Sequence, residues 1–316
     1  MIIALTGATG FVGRSLSAAL RAEGHRVRAI VRRAVALDGV EIARAPLEKG
    51  EPLTRAVDGA EVIVHCAGGG RAITRDDFLA NNLATTEALL DARDAAAHKP
   101  RRFVLISSVT AGGPEGNRPE AVAAPECTAR SRYGESKWLA ERACRARGPG
   151  LEAVVLRVPA VYGPGDDRMA GLVRAALRGL VPMPLPDQPL SMIDVDDCAR
   201  AVAALAVTPE AAGQTYWVED GQRYTPRGMA EAIAAQAGRR VRVFAAPPPL
   251  LTLVARASEW NARRTATPAF LTRDKLRDAL SPHWLCSAAA LRRDTGFVPR
   301  HTFAGRLPDI LAALGP

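Results

Sequence analysis

Apolar residues recur in short runs through the first half of the chain: Ile2 to Thr6, Val27 to Val31, Val62 to Cys66, Phe103 to Ile106 and Ala153 to Leu156. The runs are continuous rather than alternating, and helical patterns lie between them. Strands buried on both faces and separated by helices predict a parallel sheet joined by right-handed crossovers. The first helix is legible in detail. Phe11, Val12, Leu16, Ala19 and Leu20 recur near a period of about 3.6 residues, Gly24 supplies a left-handed stop, and the chain re-enters a strand at Val27.

After Tyr162 the pattern changes. Gly163-Pro164-Gly165 and then Pro182, Pro184, Pro186 and Pro189 interrupt regularity, which predicts short helices and loops. Thr225-Pro226 has the form of an N-cap followed by Pro at the first helical position, opening a helix through Met229 and Ile233, and Pro247-Pro248-Pro249 stops what precedes it. The apolar stretch from Pro247 to Val254 runs into Arg256, Glu259, Arg263 and Arg264, far short of the roughly 20 residues of a membrane span. It predicts a surface helix over a pocket. No internal repeat is present.

Composition narrows the class. With 48% apolar and 24% charged residues, 27 Gly and 23 Pro, the chain is neither collagen, coiled coil, low-complexity disorder nor a bundle of membrane spans. Forty-two Lys+Arg against 33 Asp+Glu give a net charge of +9, which draws anions. The cations are almost all arginine: the lysines are Lys49, Lys99, Lys137 and Lys275 alone, and no compact basic block occurs. Compositional bias explains this charge better than a nucleic-acid surface does. Five widely spaced cysteines without a C-x-x-C pair, and an N-terminus without leader features, give the expectation of a cytoplasmic, reducing location.

Gly7-Ala8-Thr9-Gly10-Phe11-Val12-Gly13, followed by Arg14, lies between the first strand and the first helix. A chain leaving a strand there must turn tightly, let its backbone approach a pyrophosphate and present the helix N-terminus to it, and glycines permit all three. A dinucleotide site is expected. At the end of the second strand, where an NAD site usually offers a carboxylate, the chain has Val31, Arg32 and Arg33. Arginine favours a 2'-phosphate, with Arg14 available to join Arg32, so NADP(H) is preferred and NAD(H) stays open. Ser107-Ser108 ends the strand Phe103 to Ile106, where ligands sit in open α/β sheets. Tyr133 and Lys137, four residues apart on a helix, share one face, and a cation beside a phenol favours its ionised form for acid/base work.

These motifs occur in order with Val62-Ile63-Val64-His65-Cys66-Ala67-Gly68, Asn82, Leu156-Arg157-Val158-Pro159-Ala160-Val161-Tyr162-Gly163-Pro164-Gly165 and Asp194-Val195-Asp196-Asp197. The succession resembles the extended short-chain dehydrogenase/reductase family, the NAD(P)-dependent epimerase/dehydratase group, and the resemblance extends to Trp284-Leu285-Cys286 and Thr295 to Arg300. It implies a Rossmann-type doubly wound parallel sheet (residues 1–162, with a returning segment near 191–218) and a smaller mixed C-terminal substrate domain (163–190 and 219–316). It implies Ser108 as the group holding the substrate oxygen, Tyr133 as acid/base, and Lys137 as the lysine of the nicotinamide ribose. Gly7, Thr9, Gly10, Phe11, Val12, Gly13, Arg14, Arg32, Ala67, Asn82, Lys137 and Pro159 are the cofactor-binding expectation. A homodimer is expected on the same ground.

Departures from the family pattern bear on the substrate. Ala160 and Leu190 stand where members that bind nucleotide sugars commonly carry Asn and Arg, Gly112 replaces a usual Tyr, and Pro46 stands where many members place an adenine-contacting Asp. Asp194 to Asp197 has the form of a helix start, not a metal site. His65 and His25 are expected to be packed or solvated, and Trp217, Trp260 and Trp284 to belong to the core or line an apolar pocket. The expected activity is hydride transfer to or from a carbonyl or secondary alcohol of a small apolar molecule, steroid-like, terpenoid or flavonoid-like. The alternatives are a nucleotide-sugar epimerase or dehydratase, and a non-catalytic NAD(P)-binding sensor or scaffold on the same fold.

Overall fold

A computed structural model describes residues 1–70, 72–114, 127–265, 269, 271–281 and 284–314. The first half alternates as β1 (Ile2–Thr6), α1 (Phe11–Ala22), β2 (Arg26–Val31), β3 (Glu41–Arg44), α2 (Glu51–Val57), β4 (Val62–His65), α3 (Arg75–Leu79), α4 (Thr85–Ala95), β5 (Arg102–Ser108), α5 (Arg132–Arg145) and β6 (Glu152–Val158). A π-helical turn, Ala80–Ala84, joins α3 to α4. Then come β7 (Ala160–Tyr162), α6 (Asp167–Leu177), β8 (Leu180–Met183), β9 (Met192–Asp194), α7 (Val195–Val207), β10 (Thr215–Trp217), α8 (Pro226–Gln236), β11 (Arg242–Ala245), α9 (Pro248–Thr265), α10 (Arg273–Ala279), α11 (Ala289–Thr295) and α12 (Phe303–Ala313).

Seven strands form one sheet in the order β10-β6-β5-β4-β1-β2-β3, and every neighbouring pair is parallel. This is the expected doubly wound Rossmann sheet. Alternation along the strands divides its burial between two faces. Ile3, Leu5, Val62, Val64, Val104 and Leu156 meet Leu16 and Leu20 of α1 and Val202 and Leu205 of α7. On the other face Ala4, Ile63, Phe103 and Leu105 meet Leu53 of α2, Leu89 of α4 and Ala140 of α5. Each large side chain so buried contributes roughly 1.5–3 kcal/mol relative to exposure.

A third apolar cluster, with Tyr162, Val173, Val181, Met229, Ile233, Phe303 and Leu307, lies among α6, β8, α8 and α12. Here the expectation of short helices and loops is corrected, because α7 has 13 residues and α9 has 18. Pro248 and Pro249 open α9, where the missing N–H has no intrahelical partner to lose. Thr225 caps α8 as expected, its side chain accepting from Gly228 N.

The turn from β1 into α1 is a close backbone contact. A Cβ on Gly13 would lie 1.9 Å from Gly7 O and 2.9 Å from Ala8 Cα, all backbone atoms that cannot step aside. Gly13→Ala is therefore expected to lower stability by about 1–3 kcal/mol in denaturant unfolding. Gly150→Ala, where a Cβ meets nothing within 4 Å, is expected to leave the midpoint unchanged.

Candidate active site

The carboxyl ends of β1, β4, β5 and β6 converge on one edge of the sheet. Gly7 leaves β1 at a φ of +75°, and a Cβ there would lie 2.7 Å from Ala67 N. Ala67 N donates in turn to Thr6 Oγ1 at 3.1 Å, which holds the end of β4 against the end of β1. Gly10 is the N-cap of α1 and has no side chain to offer, and the first turn carries no acid. The positive end of the helix is thus free of competing carboxylates of its own, and the glycine cradle fits a pyrophosphate. Thr9 and Gly10 are exposed, Phe11 and Val12 half-buried, and Pro159 is buried where β6 ends. Arg14 and Arg32 are both exposed. Arg14 turns back on the loop, donating from Nε to Thr9 O at 3.0 Å.

At the end of β5 the two serines part. Ser107 donates to Glu141 Oε1 at 2.5 Å, inside a buried pair in which Arg157 holds the same carboxylate at 2.8 and 3.0 Å. Ser108 points to the opposite side, where its Oγ accepts from Thr110 Oγ1 at 2.9 Å and Thr110 N at 3.2 Å. The turn after Ser108 abuts α5: a Cβ on Gly134 would lie 2.4 Å from Thr110 O. Glycine next to Tyr133 therefore lets the tyrosine helix lie directly on the serine turn. Lys137 is buried and donates from Nζ to Ile106 O at 3.0 Å, and burial holds its ammonium down to about 8. Tyr133 is half-buried, with its ring 6.0 Å from that of Phe78.

Sequence reasoning missed what holds the start of α5. Ser131 is its N-cap, accepting from Gly134 N at 3.0 Å. Asp274 of α10 accepts from Arg132 N at 2.8 Å and Tyr133 N at 3.2 Å, so a carboxylate from a distant helix binds the backbone of the tyrosine itself. One turn further along α10, Asp278 has a buried Oδ1 without a hydrogen-bond partner. Burial first, then the neighbouring Asp274, pushes its carboxyl up to about 7, against the pull of Ser131.

Other expected positions take structural work. Asn82 is buried in the π-helical turn, where Nδ2 donates to Ser136 Oγ at 3.0 Å and Phe78 O at 3.2 Å, and Oδ1 accepts from Gly69 N at 3.2 Å. It ties the loop after β4 to α5. His65 is buried with Nδ1 2.7 Å from Thr6 Oγ1, and burial together with Lys137 lowers its pKa to about 3, leaving a neutral ring. Asp194, Asp197 and His301 converge, but Arg306 holds Asp194 at 2.9 Å, and Asp197 accepts from Arg300 N and His301 N at 2.8 Å. Asp194 also caps α7. Trp217 is buried with the Arg157 guanidinium 5.5 Å from its ring centre, and Trp284 Nε1 donates to Asp278 O at 2.8 Å.

A parallel sheet in this order, with a glycine turn opening a helix at its carboxyl edge, defines a dinucleotide-binding α/β protein. The profile of the NAD dependent epimerase/dehydratase family matches residues 3–218, and the chain belongs to that family. It is 32% identical over 299 residues to a ceramide reductase of Caulobacter vibrioides, covering 92% of this chain and 87% of the relative. It is 30% identical over 252 residues to a UDP-glucose 4-epimerase of Vibrio cholerae, covering 73% and 74%. A UDP-glucuronic acid 4-epimerase from Bacillus cereus, solved with UDP-glucuronic acid and NAD, superposes with a TM-score of 0.77 at 18% identity over 99% of each chain. The protein is an NAD(P)-dependent enzyme of the extended short-chain dehydrogenase/reductase type.

Asp278 gives this region a pH dependence. Its carboxyl ordinarily titrates near 3.8 but is raised to about 7 in the fold, so the folded chain keeps a proton that the unfolded chain has lost. Its stabilising contribution is full below about pH 4 and is lost as pH rises through about 7. Asp278→Asn is expected to raise the thermal midpoint at about pH 8 and to flatten the fall in midpoint between those limits. An unchanged pH profile in the Asn variant contradicts this assignment.

Proposed function

We propose that the protein is an NADPH-dependent reductase that acts on a carbonyl of an apolar, lipid-like molecule. The observation that carries this reading is the packing of the Ser108 turn against α5 at Gly134, which gathers Ser108, Tyr133 and Lys137 at the carboxyl edge beside the glycine cradle. When bound, the dinucleotide supplies the hydride. Ser108 holds the carbonyl oxygen, and Tyr133 gives that oxygen its phenolic proton, so the carbonyl becomes an alcohol. Lys137 keeps positive charge on the same helix face, where negative charge is left on the phenol oxygen.

An apolar substrate is supported by the ceramide reductase relative and by two positions in this chain. Leu190 lies in a backbone bridge between Tyr224 and Trp284 and packs on the third apolar cluster, and Ala160 is exposed. Neither has a group to pair with a buried diphosphate, and an anion leaves water at high cost without partners. The nucleotide-sugar epimerase reading draws on the Vibrio cholerae relative. The two differ in cofactor turnover, since a reductase consumes NADPH with its ketone and an epimerase returns the hydride to its own substrate.

Two measurements test the reading. Tyr133→Phe is expected to lower NADPH-linked reduction of apolar ketones by roughly 10² to 10⁴ with cofactor affinity little changed. Near-normal turnover in that variant removes Tyr133 from the reaction, and UDP-glucose conversion without net NADPH loss promotes the epimerase. For the cofactor, NADPH should bind more tightly than NADH, and Arg32→Ala should erase most of the gap, because the end of β2 offers arginine in place of a carboxylate. Equal affinities in the unaltered protein overturn the NADPH preference.

A further inference from the structure

We infer that the outer face of α9 is a docking surface for an anionic phospholipid bilayer. The helix has two faces of opposite character. Ala255, Glu259 and Ala262 are buried, and Glu259 anchors the following helix by accepting from Arg273 N at 2.7 Å and Arg273 Nε at 3.0 Å. Leu250, Leu253, Val254, Ala257 and Trp260 recur at the spacing of a single helix face and point away from the protein. Leu250 is 54% exposed, Leu253 64%, Val254 45% and Trp260 59%. A helix that faces only water carries polar residues there, and this one carries its largest apolar side chains.

The charges beside that stripe select the partner. Arg256, Arg263 and Arg264 are exposed, while the only carboxylate of α9, Glu259, is buried and paired with Arg273. The outer face therefore offers cations without anions. Arg264 lies 4.4 Å over the ring of Trp260, so an amphipathic aromatic and a long cationic side chain meet at the border of the stripe. An apolar stripe edged by arginines matches the boundary between acyl chains and anionic headgroups. A second copy of the same face fits poorly, because two-fold pairing would bring like guanidiniums together. Among the described residues no helix is long and apolar enough to cross a membrane, so the contact is peripheral.

The surface also has a route to the candidate active site. Glu259 joins α9 to the start of α10, and Asp274 of α10 joins the backbone of Tyr133. A bilayer held at α9 would thus be joined through two carboxylates to the start of the tyrosine helix, where an apolar ketone would react, a consequence that rests on the proposed reductase activity. The docking itself does not.

The test is flotation of the full chain with vesicles of phosphatidylglycerol and phosphatidylcholine, beside vesicles of phosphatidylcholine alone. The protein is expected to float with the anionic vesicles, to bind the neutral ones weakly and to be released by salt. Leu253→Glu and Trp260→Glu together should abolish flotation, and Arg256→Gln and Arg263→Gln should each lower partitioning about fivefold. Thermal midpoint and NADPH titration of each variant report that the fold is kept. Three results overturn the inference: no flotation of the unaltered protein, equal binding to both vesicle types, or a solution dimer that Leu253→Glu dissociates. Flotation needs no turnover, so its failure is distinct from a failure of the reductase reading.

Discussion

Glu141 is fully buried on α5, and the position of that helix on the sheet rests on what the carboxylate holds. It accepts from Ser107 at the end of β5 and from Arg157 near the end of β6, so one side chain binds the helix to two strands. Tyr133, Lys137 and Glu141 recur every four residues, which puts all three on neighbouring positions of one helix face. A buried ion pair adds little net stability, because desolvation offsets most of the attraction, but removing one partner leaves an uncompensated charge at a cost of about 3–5 kcal/mol. The pair therefore selects one placement of α5 out of many that apolar contact alone would tolerate. Ser107 is committed to this network, and Ser108 faces the opposite side, where it accepts from Thr110.

The other end of α5 is held from outside the sheet. Its first turn has N–H groups without intrahelical acceptors, and Ser131 and Asp274 take three of them between them. Asp274 lies 141 residues beyond Tyr133 in the chain. Burial of α10 against this turn thus sets the local geometry of the residue proposed as proton donor. Asp278, one turn later, gives the same contact its raised carboxyl and its pH dependence.

What could be read from the chain follows from how local the cause is. The runs at Ile3, Val62 and Phe103 are legible because strands covered on both faces leave no polar positions, and the glycine turn is legible because close backbone approach excludes side chains. β3 was not among the apolar runs, since Glu41–Arg44 forms an edge strand whose side chains are mostly exposed. Strands β7, β9 and β10 have three residues each and owe their conformation to their partners. Asp274 and Asp278 carry no local mark of their role, because a carboxylate in Arg273–Ala279 resembles any solvated helix until α10 is placed on α5. Asn82 was legible as a position, but its engagement with Gly69 and Ser136 depends on a π-helical turn that no periodicity announces.

A common device joins the later part of the chain to the sheet. In a protein of net charge +9, buried carboxylates accept backbone N–H groups from segments far away in sequence: Asp274 at the start of α5, Asp197 at Arg300 and His301, and Glu219 at Ala288. A charged acceptor binds an N–H group more strongly than a neutral one, and a pair of such bonds fixes direction as well as distance. The same device constrains motion. Moving α10 away from the sheet must break both bonds from Asp274 and strip the first turn of α5 of two of its acceptors. The N–H groups of Arg132 and Tyr133 would then be left without a carboxylate acceptor at the helix end. One carboxylate thereby couples the seating of α10 to the backbone of the proposed proton donor.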